Sequence, residues 1–205
     1  MRKLLLFLFL ITAFNCTAQI AVKVFQFRPT GDQGFAIERK FSAEIMYMNS
    51  FDDEDDNWRS RFGISYLVLK PRLDTFPVFA TMTDGSGSYV LPGYEVYHKY
   101  NMGYIFCGAD YKVFETGNLV LYPGLDVIAG AISRDYDSHY ATLSDGSNTV
   151  GSIFGGLRIR AGVTYNLTDR AGVFLEAERA YYLAAEMGGL SHNDFGLGFR
   201  YSFND

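Results

Sequence analysis

Three stretches, Ser152-Ile-Phe-Gly-Gly-Leu-Arg-Ile-Arg-Ala-Gly-Val-Thr-Tyr165, Ala171-Gly-Val-Phe-Leu-Glu-Ala-Glu-Arg-Ala-Tyr-Tyr-Leu183 and Asp194-Phe-Gly-Leu-Gly-Phe-Arg-Tyr-Ser-Phe203, alternate with a period of two. In the first, Ile153, Leu157, Ile159, Ala161, Val163 and Tyr165 share one face, and Arg158, Arg160 and Thr164 share the other. In the second, Val173, Leu175, Ala177, Tyr181 and Leu183 oppose Glu176 and Glu178, and in the third, Phe195, Leu197, Phe199, Tyr201 and Phe203 oppose Arg200 and Ser202. Successive side chains of an extended strand point to opposite faces, so this spacing predicts three strands, each apolar on one side and charged on the other. Pairing Tyr165 with Ala171 across the intervening turn sets Arg160 beside Glu176 and Arg158 beside Glu178. Extending the sheet sets Arg200 beside Glu176 and Asp126 beside Arg158. Asp126, Arg158, Arg160, Glu176, Glu178 and Arg200 are thus expected to form one network of alternating charge.

Upstream, the same alternation defines five more segments: Ile20 to Arg28, Phe35 to Met48, Arg59 to Lys70, Tyr100 to Phe114 and Leu119 to Ile132. Eight is an even number, as a closed barrel needs when both chain ends lie on one side. The links alternate in length. Glu115 to Gly117 and Asn166 to Arg170 are tight, whereas Pro71 to Lys99, Ser133 to Val150 and Ala184 to Asn193 are long and polar. Short turns on the inner side and longer loops outside are the asymmetry of bacterial outer-membrane barrels. The tip Asp84-Gly-Ser-Gly-Ser88 predicts a hairpin reaching beyond the membrane. Two links break the alternation: Thr30 to Gly34 is short where a long loop is due, and Ser50 to Trp58 carries the acidic run Asp52 to Asp56 where a tight turn is due.

Periodicity does not say which face is inside. Volume does, because an eight-stranded barrel is only just wide enough for side chains to fill it. The apolar face carries more large residues than such an interior holds. The charged face is thinned by Gly108, Gly124, Gly130, Gly156, Gly162, Gly196 and Gly198. The greasy face is therefore expected to meet lipid and the charged face to fill the lumen. A soluble barrel of lipocalin type would reverse this arrangement. Aromatics near the tight turns (Phe114, Tyr122, Tyr165, Tyr201, Phe203) and near the long loops (Tyr100, Tyr104, Tyr181, Tyr182) suit belts at the two membrane interfaces.

The start of the chain predicts export. Arg2 and Lys3 precede an apolar run from Leu4 to Ile11 and a small-residue exit ending at Ala18, the pattern of a secretory signal peptide over residues 1–18. The run is too short for a membrane helix of about 20 residues, so the barrel domain is expected over residues 19–205. Of the two cysteines, only Cys107 falls in that domain, which excludes an internal disulfide. The net charge of −5 includes the two leader cations, and the absence of a basic stripe argues against nucleic acid as a partner.

The ending Gly198-Phe-Arg-Tyr-Ser-Phe203 resembles the C-terminal assembly signal of outer-membrane barrels, and the hairpin from Gly162 to Glu176 resembles those of small OmpA/OmpX-type barrels. The resemblance implies an all-β, up-and-down transmembrane barrel in the Gram-negative outer membrane. It also implies insertion by the barrel-assembly machinery, with Gly198, Tyr201 and Phe203 as the assembly signal. It departs from the pattern in having Gly196 where a polar residue usually stands, and in continuing past Phe203 to Asn204 and Asp205. Without a C-terminal peptidoglycan-binding domain, the wall-tethering role of larger members is not carried over.

Chemical sites are sparse. His98, His139 and His192 match no metal-ligand spacing and are expected as solvated loop residues. The Asp52 to Asp56 run lacks the spaced ligands and central glycine of a calcium loop and is expected as a charged turn. Ser191-His192 invites a lipid A-modifying activity, but adjacent residues of a strand point apart and share no proton. No cofactor is expected. The leading functional expectation is a non-enzymatic barrel bathed in outer-membrane lipid, with a structural role or a protein partner at its external loops. The alternative is a narrow pore for ions or small hydrophobic molecules.

Overall fold

The computed structural model describes residues 18–30, 37–49, 57–85, 87–140, 145–185 and 188–203. The leader up to Thr17, most of the Thr30 to Gly34 link and the acidic run Asp52 to Asp56 lie outside them. Ten antiparallel strands follow one another: β1 (Ala18–Thr30), β2 (Lys40–Asn49), β3 (Trp58–Leu69), β4 (Thr75–Asp84), β5 (Gly87–Tyr111), β6 (Phe114–Thr116), β7 (Leu119–Tyr140), β8 (Gly146–Asn166), β9 (Ala171–Ala184) and β10 (Gly188–Ser202). Eight of them close a barrel in the order β1-β2-β3-β5-β7-β8-β9-β10, with β10 returning to β1 through Gln19 opposite Ser202. The other two are additions. β4 pairs with the upper part of β5, and β6 makes a small hairpin with the start of β7 around Gly117, whose φ of 54° is the left-handed conformation that glycine supplies.

Closure leaves no unpaired edge in the membrane-spanning wall, which hydrocarbon demands because it offers backbone groups no other partner. The outer surface is apolar: Val22, Val24, Ile45, Ile64, Ile105, Val127, Ile159, Leu175, Leu197 and Phe199 are all exposed. Neighbours of opposite parity are buried, among them Lys23, Glu44, Arg61, Asp126, Arg158, Glu176 and Glu178. The barrel therefore turns its apolar face outward and its charges inward.

The interior is layered. Charges occupy the middle, and Phe27, Leu67, Leu69, Met102, Ile132, Phe154 and Tyr182 fill the end toward the long links. Parity also corrects the expected aromatic belts. Phe114, Tyr165, Tyr201, Phe203 and Tyr181 face outward, but Tyr100, Tyr104, Tyr122 and Tyr182 point into the lumen. The tight-turn end keeps its belt, reinforced by Trp58 and Tyr111, whereas only Tyr181 of the expected residues serves the other.

Two expected links are strand. β7 runs on to Tyr140 and β8 begins at Gly146, so most of the Ser133 to Val150 link is a ladder of paired strands. β10 likewise begins at Gly188, opposite Ala184, inside the expected Ala184 to Asn193 loop. Above the bilayer both faces of a strand meet water, so polar composition there no longer marks a loop. β2 is shorter than expected, starting at Lys40, and Ile37 before it makes a single bridge to Pro71.

The barrel wall is unequal in height. β5 continues from Tyr100, the partner of Leu69 at the end of β3, back to Gly87, roughly 40 Å of extra strand. There β4, β5, β7 and β8 form a platform beyond the barrel mouth, with the Asp84 to Ser88 hairpin at its tip. A bulge between Tyr97 and Lys99 marks the junction. On its inner side, Tyr97 stacks on Tyr136 (5.3 Å between centroids) and on Tyr100 (6.2 Å), Phe76 packs edge-on at 5.3 Å, and Arg134 lies 5.7 Å from the Tyr97 and Tyr136 rings.

Candidate functional site

The densest chemistry lies at mid-barrel. Lys23 on β1 places its ammonium 2.6 Å from Glu178, 2.7 Å from Glu44 and 3.3 Å from Glu176, completely shielded from solvent. Arg158 on β8 bridges Glu44 (2.5 Å) and Asp126 (2.8 Å) and reaches Glu178 at 3.3 Å. Arg61 on β3 meets Glu176 at 2.7 Å, and Arg160 pairs with Asp110 and Asp126. Arg59 grips one Asp110 oxygen with two nitrogens, at 2.9 and 2.8 Å. Five cations (Lys23, Arg59, Arg61, Arg158, Arg160) thus face five anions (Glu44, Asp110, Asp126, Glu176, Glu178).

Aromatic groups complete the shell. The Tyr104 hydroxyl donates to Glu44 at 2.6 Å, and the Tyr122 hydroxyl donates to Glu176 at 3.1 Å. The Arg158 guanidinium lies 4.2 Å from the Phe106 centroid, and that of Arg59 lies 4.5 Å from Tyr122. A buried ion costs several kcal/mol unless other charges and hydrogen bonds surround it. Here each of the ten ions has an opposite charge within 2.8 Å.

Of the expected network, Asp126, Arg158, Arg160, Glu176 and Glu178 come together, though not all as sequence pairing suggested. Asp126 is the register partner of Arg158, but Arg160 stands opposite Glu178, and Arg158 opposite Ala180. The slip of two residues comes from the turn. Asn166 pairs with Gly172, and the five residues between are closed by Leu167 N–H donating to Ala171 O (2.8 Å) and Ala171 N–H donating to the Thr168 hydroxyl (3.0 Å). A shift of two preserves faces while changing partners. The separate β9–β10 register sets Gly196 opposite Glu176, so Arg200 stands opposite Gly172, and it donates to Asn166 at 2.6 Å. Gly198 lies under the Phe174 ring, while Tyr201 and Phe203 sit on the outer wall in edge-on contact at 5.3 Å.

Lys23, Glu44, Arg61, Arg59 and Asp110 escaped the sequence reading. Lys23, Glu44 and Arg61 carry the signal that marks their partners: a single charge at inward parity between outward-facing neighbours, as in Val22-Lys23-Val24.

His192 is corrected. It is buried, not solvated, with Nε2 2.8 Å from Asp194 Oδ2 and 3.3 Å from the Tyr182 hydroxyl, between the Phe27 and Tyr182 rings. Ser191 points elsewhere and meets the Thr30 hydroxyl at 2.8 Å. His98 and His139 do lie on the platform, where each faces an acid at 2.8 Å: Asp137 and Asp145 respectively.

A closed wall of eight strands with lipid-facing apolar residues and an ionic interior defines a transmembrane barrel of the bacterial outer-membrane type. Solved structures carry the same fold. Neisserial surface protein A is 17% identical with a TM-score of 0.55, the match covering 91% of this chain and 97% of that one. A major outer membrane protein from Thermus thermophilus is 12% identical with a TM-score of 0.53 (91% and 99% covered). Ail, the attachment invasion locus protein of Yersinia pestis, in complex with the heparin analogue sucrose octasulfate, is 14% identical with a TM-score of 0.50 (92% and 99% covered). No family model matches the sequence, and no curated protein matches it. These likenesses establish the fold, and the exposed apolar wall is the surface such a barrel turns to lipid.

Proposed function

We propose that this protein is a non-enzymatic, non-conducting barrel that holds a β-sheet platform outside the outer membrane for contact with a partner protein. The observation that carries this reading is the platform's outer face. Pro77, Phe79, Val90, Pro92 and Tyr94 are exposed together there, Phe79 at 71% and Val90 at 60%. They are separated from the lipid belt by the charged pairs Lys99–Asp135 and His98–Asp137. Contiguous exposed apolar surface rimmed by polar groups is the character of an interaction site. β4, an edge strand of the platform, also leaves backbone groups available for pairing.

The interior supports the non-conducting half of the reading. The ionic layer and the aromatic layer above it fill a lumen that eight strands leave narrow. Gly198, Tyr201 and Phe203 fit recognition by the barrel-assembly machinery during insertion, two of them as aromatics displayed beside the β1–β10 seam.

The test has two arms. Purified protein in planar bilayers is expected to give no steady conductance, and a stable open current would overturn the closed lumen. Cross-linking on intact cells, followed by purification in mild detergent, is expected to join the wild type to one defined partner. A Phe79→Ser/Val90→Ser/Tyr94→Ser variant, equally abundant and folded, is expected to lose that product, and retention of it would overturn the platform as the contact surface.

A further inference from the structure

Beside the platform, the short strands β1, β2 and β3 end in a group of cations. Arg28, Arg39, Lys40, Lys70 and Arg72 stand within a few residues of the three strand ends. Phe27 is the register partner of Lys40, so the next position sets Arg28 opposite Arg39. Lys70 follows the last residue of β3 on the outward side. Adjacent strands lie about 4.8 Å apart, so Arg28, Arg39 and Lys70 fall within roughly 10 Å of one another on the outer face.

Beside them is a hollow of about 530 Å³ lined by Pro29, Ile37, Glu38, Arg39 and Arg72. Its only acid among the described residues is Glu38. The cations around it make polar contacts of other kinds: Arg28 donates to the Gln26 side chain at 2.6 Å, and Lys40 to the Val68 carbonyl at 2.5 Å. Among the described residues, none of the five forms an ion pair. The neighbouring platform differs, since Lys99, one register position past the Leu69–Tyr100 pair and so beside Lys70, is paired with Asp135 at 3.4 Å, and both platform histidines face acids.

Immediately below, on the same outward face, the wall is strongly apolar. Phe41 is 69% exposed, Tyr66 63%, and Ile45 and Val24 more than half. Positive charge that forms no ion pair among the described residues, set one step above an apolar wall on the long-link side of the barrel, matches an amphiphile with an anionic head and acyl tails. We propose that this rim binds a phosphate-bearing lipid of the outer leaflet. The phosphate sits on Arg28, Arg39 and Lys70, the polar head extends into the hollow beside Arg72, and the acyl chains lie along Phe41, Tyr66 and Ile45.

Native mass spectrometry of the detergent-purified full chain tests this with three probes: diphosphoryl lipid A, an uncharged glycolipid of equal chain length, and inorganic phosphate. Diphosphoryl lipid A is expected to be retained, and the other two are not. The Arg28→Gln/Arg39→Gln/Lys70→Gln variant is expected to retain it on the order of a hundredfold more weakly, at about fivefold for each cation near an anionic head. Lys112→Gln, at the opposite end of the barrel, is expected to retain it as the wild type does. Heat-modified gel mobility verifies that each variant is folded. Equal retention by the triple variant, or equal retention of the uncharged glycolipid, overturns the site. Binding of inorganic phosphate with comparable strength overturns the lipid as its occupant.

Discussion

Gly198 on β10 is the register partner of Phe174 on β9, and the phenyl ring lies across the glycine where a side chain would otherwise project into the lumen. Even a methyl group at Gly198 would overlap the ring. Gly198→Ala is therefore expected to destabilise the barrel by about 1–3 kcal/mol through overpacking. Phe174→Ala is expected to cost about 3–5 kcal/mol through the cavity it leaves. The double variant is expected to cost less than the sum, because the methyl then enters vacated space. Urea unfolding in detergent or lipid measures all three. Strict additivity would show that the two positions are not in contact.

Arg158 binds Glu44 and Asp126 and also approaches Glu178, all buried. Arg158→Met leaves several carboxylates short of a counter-ion, and a loss of about 3–5 kcal/mol is expected. Adding Glu44→Gln to that variant is expected to restore part of the stability by removing one uncompensated charge. Should the second substitution bring a further loss, Glu44 has other support and the network is more divided than its distances suggest.

Gly93 lets the Tyr140 ring lie against β5 in the platform; a Cβ there would come within 2.5 Å of the His139 carbonyl oxygen and of the Tyr140 ring. Gly93→Val is expected to raise hydrogen exchange in β4 and the upper part of β5 while β1, β9 and β10 keep their protection. Exchange that rises uniformly through the barrel would mean that the platform and wall unfold as one unit.

On the platform, His98 donates to Asp137, and with Ser147 it holds that carboxyl below the ordinary aspartate value of 3.8. A depressed folded-state value means that the contact stabilises the fold above the ordinary value and is lost as pH falls through the lowered one. The window is thus acidic, below about pH 4. His98→Asn is expected to move the Asp137 titration upward, followed by carboxyl NMR shifts. An unchanged titration would assign the depression to Ser147 alone.

The number of barrel strands and which face is inward are legible in the sequence because lipid outside and packed side chains inside enforce alternation through the wall. Leu175 to Glu178 shows it plainly, whereas Phe174, Ala180 and Tyr182 are apolar at inward positions and Arg179 is a charge at an outward one. The register is less legible. A slip of two residues leaves every face unchanged, so the β8–β9 pairing depended on how Thr168 closes its turn, which alternation does not encode. Strand ends above the bilayer were hidden for a different reason. Asp135 and Asp137 look like loop residues, yet they belong to a ladder with water on both sides. Within the candidate site, charges that recur along a strand, such as Arg158 and Arg160, stand out. Lys23 and Glu44 are solitary and are masked by apolar neighbours, although parity alone assigns them inward.

Lys23 meets Glu176 and Glu178, which lie 153 and 155 residues further along the chain. Glu44, its register partner on β2, meets it within the first hairpin, but these two carboxylates are synthesised long after it, on a strand that reaches it only when the cylinder shuts. Until that moment the ammonium has only one of its three acids. Ring closure therefore completes the neutralisation of this ammonium, and a polypeptide lacking its last two strands leaves it with Glu44 alone of its three acids.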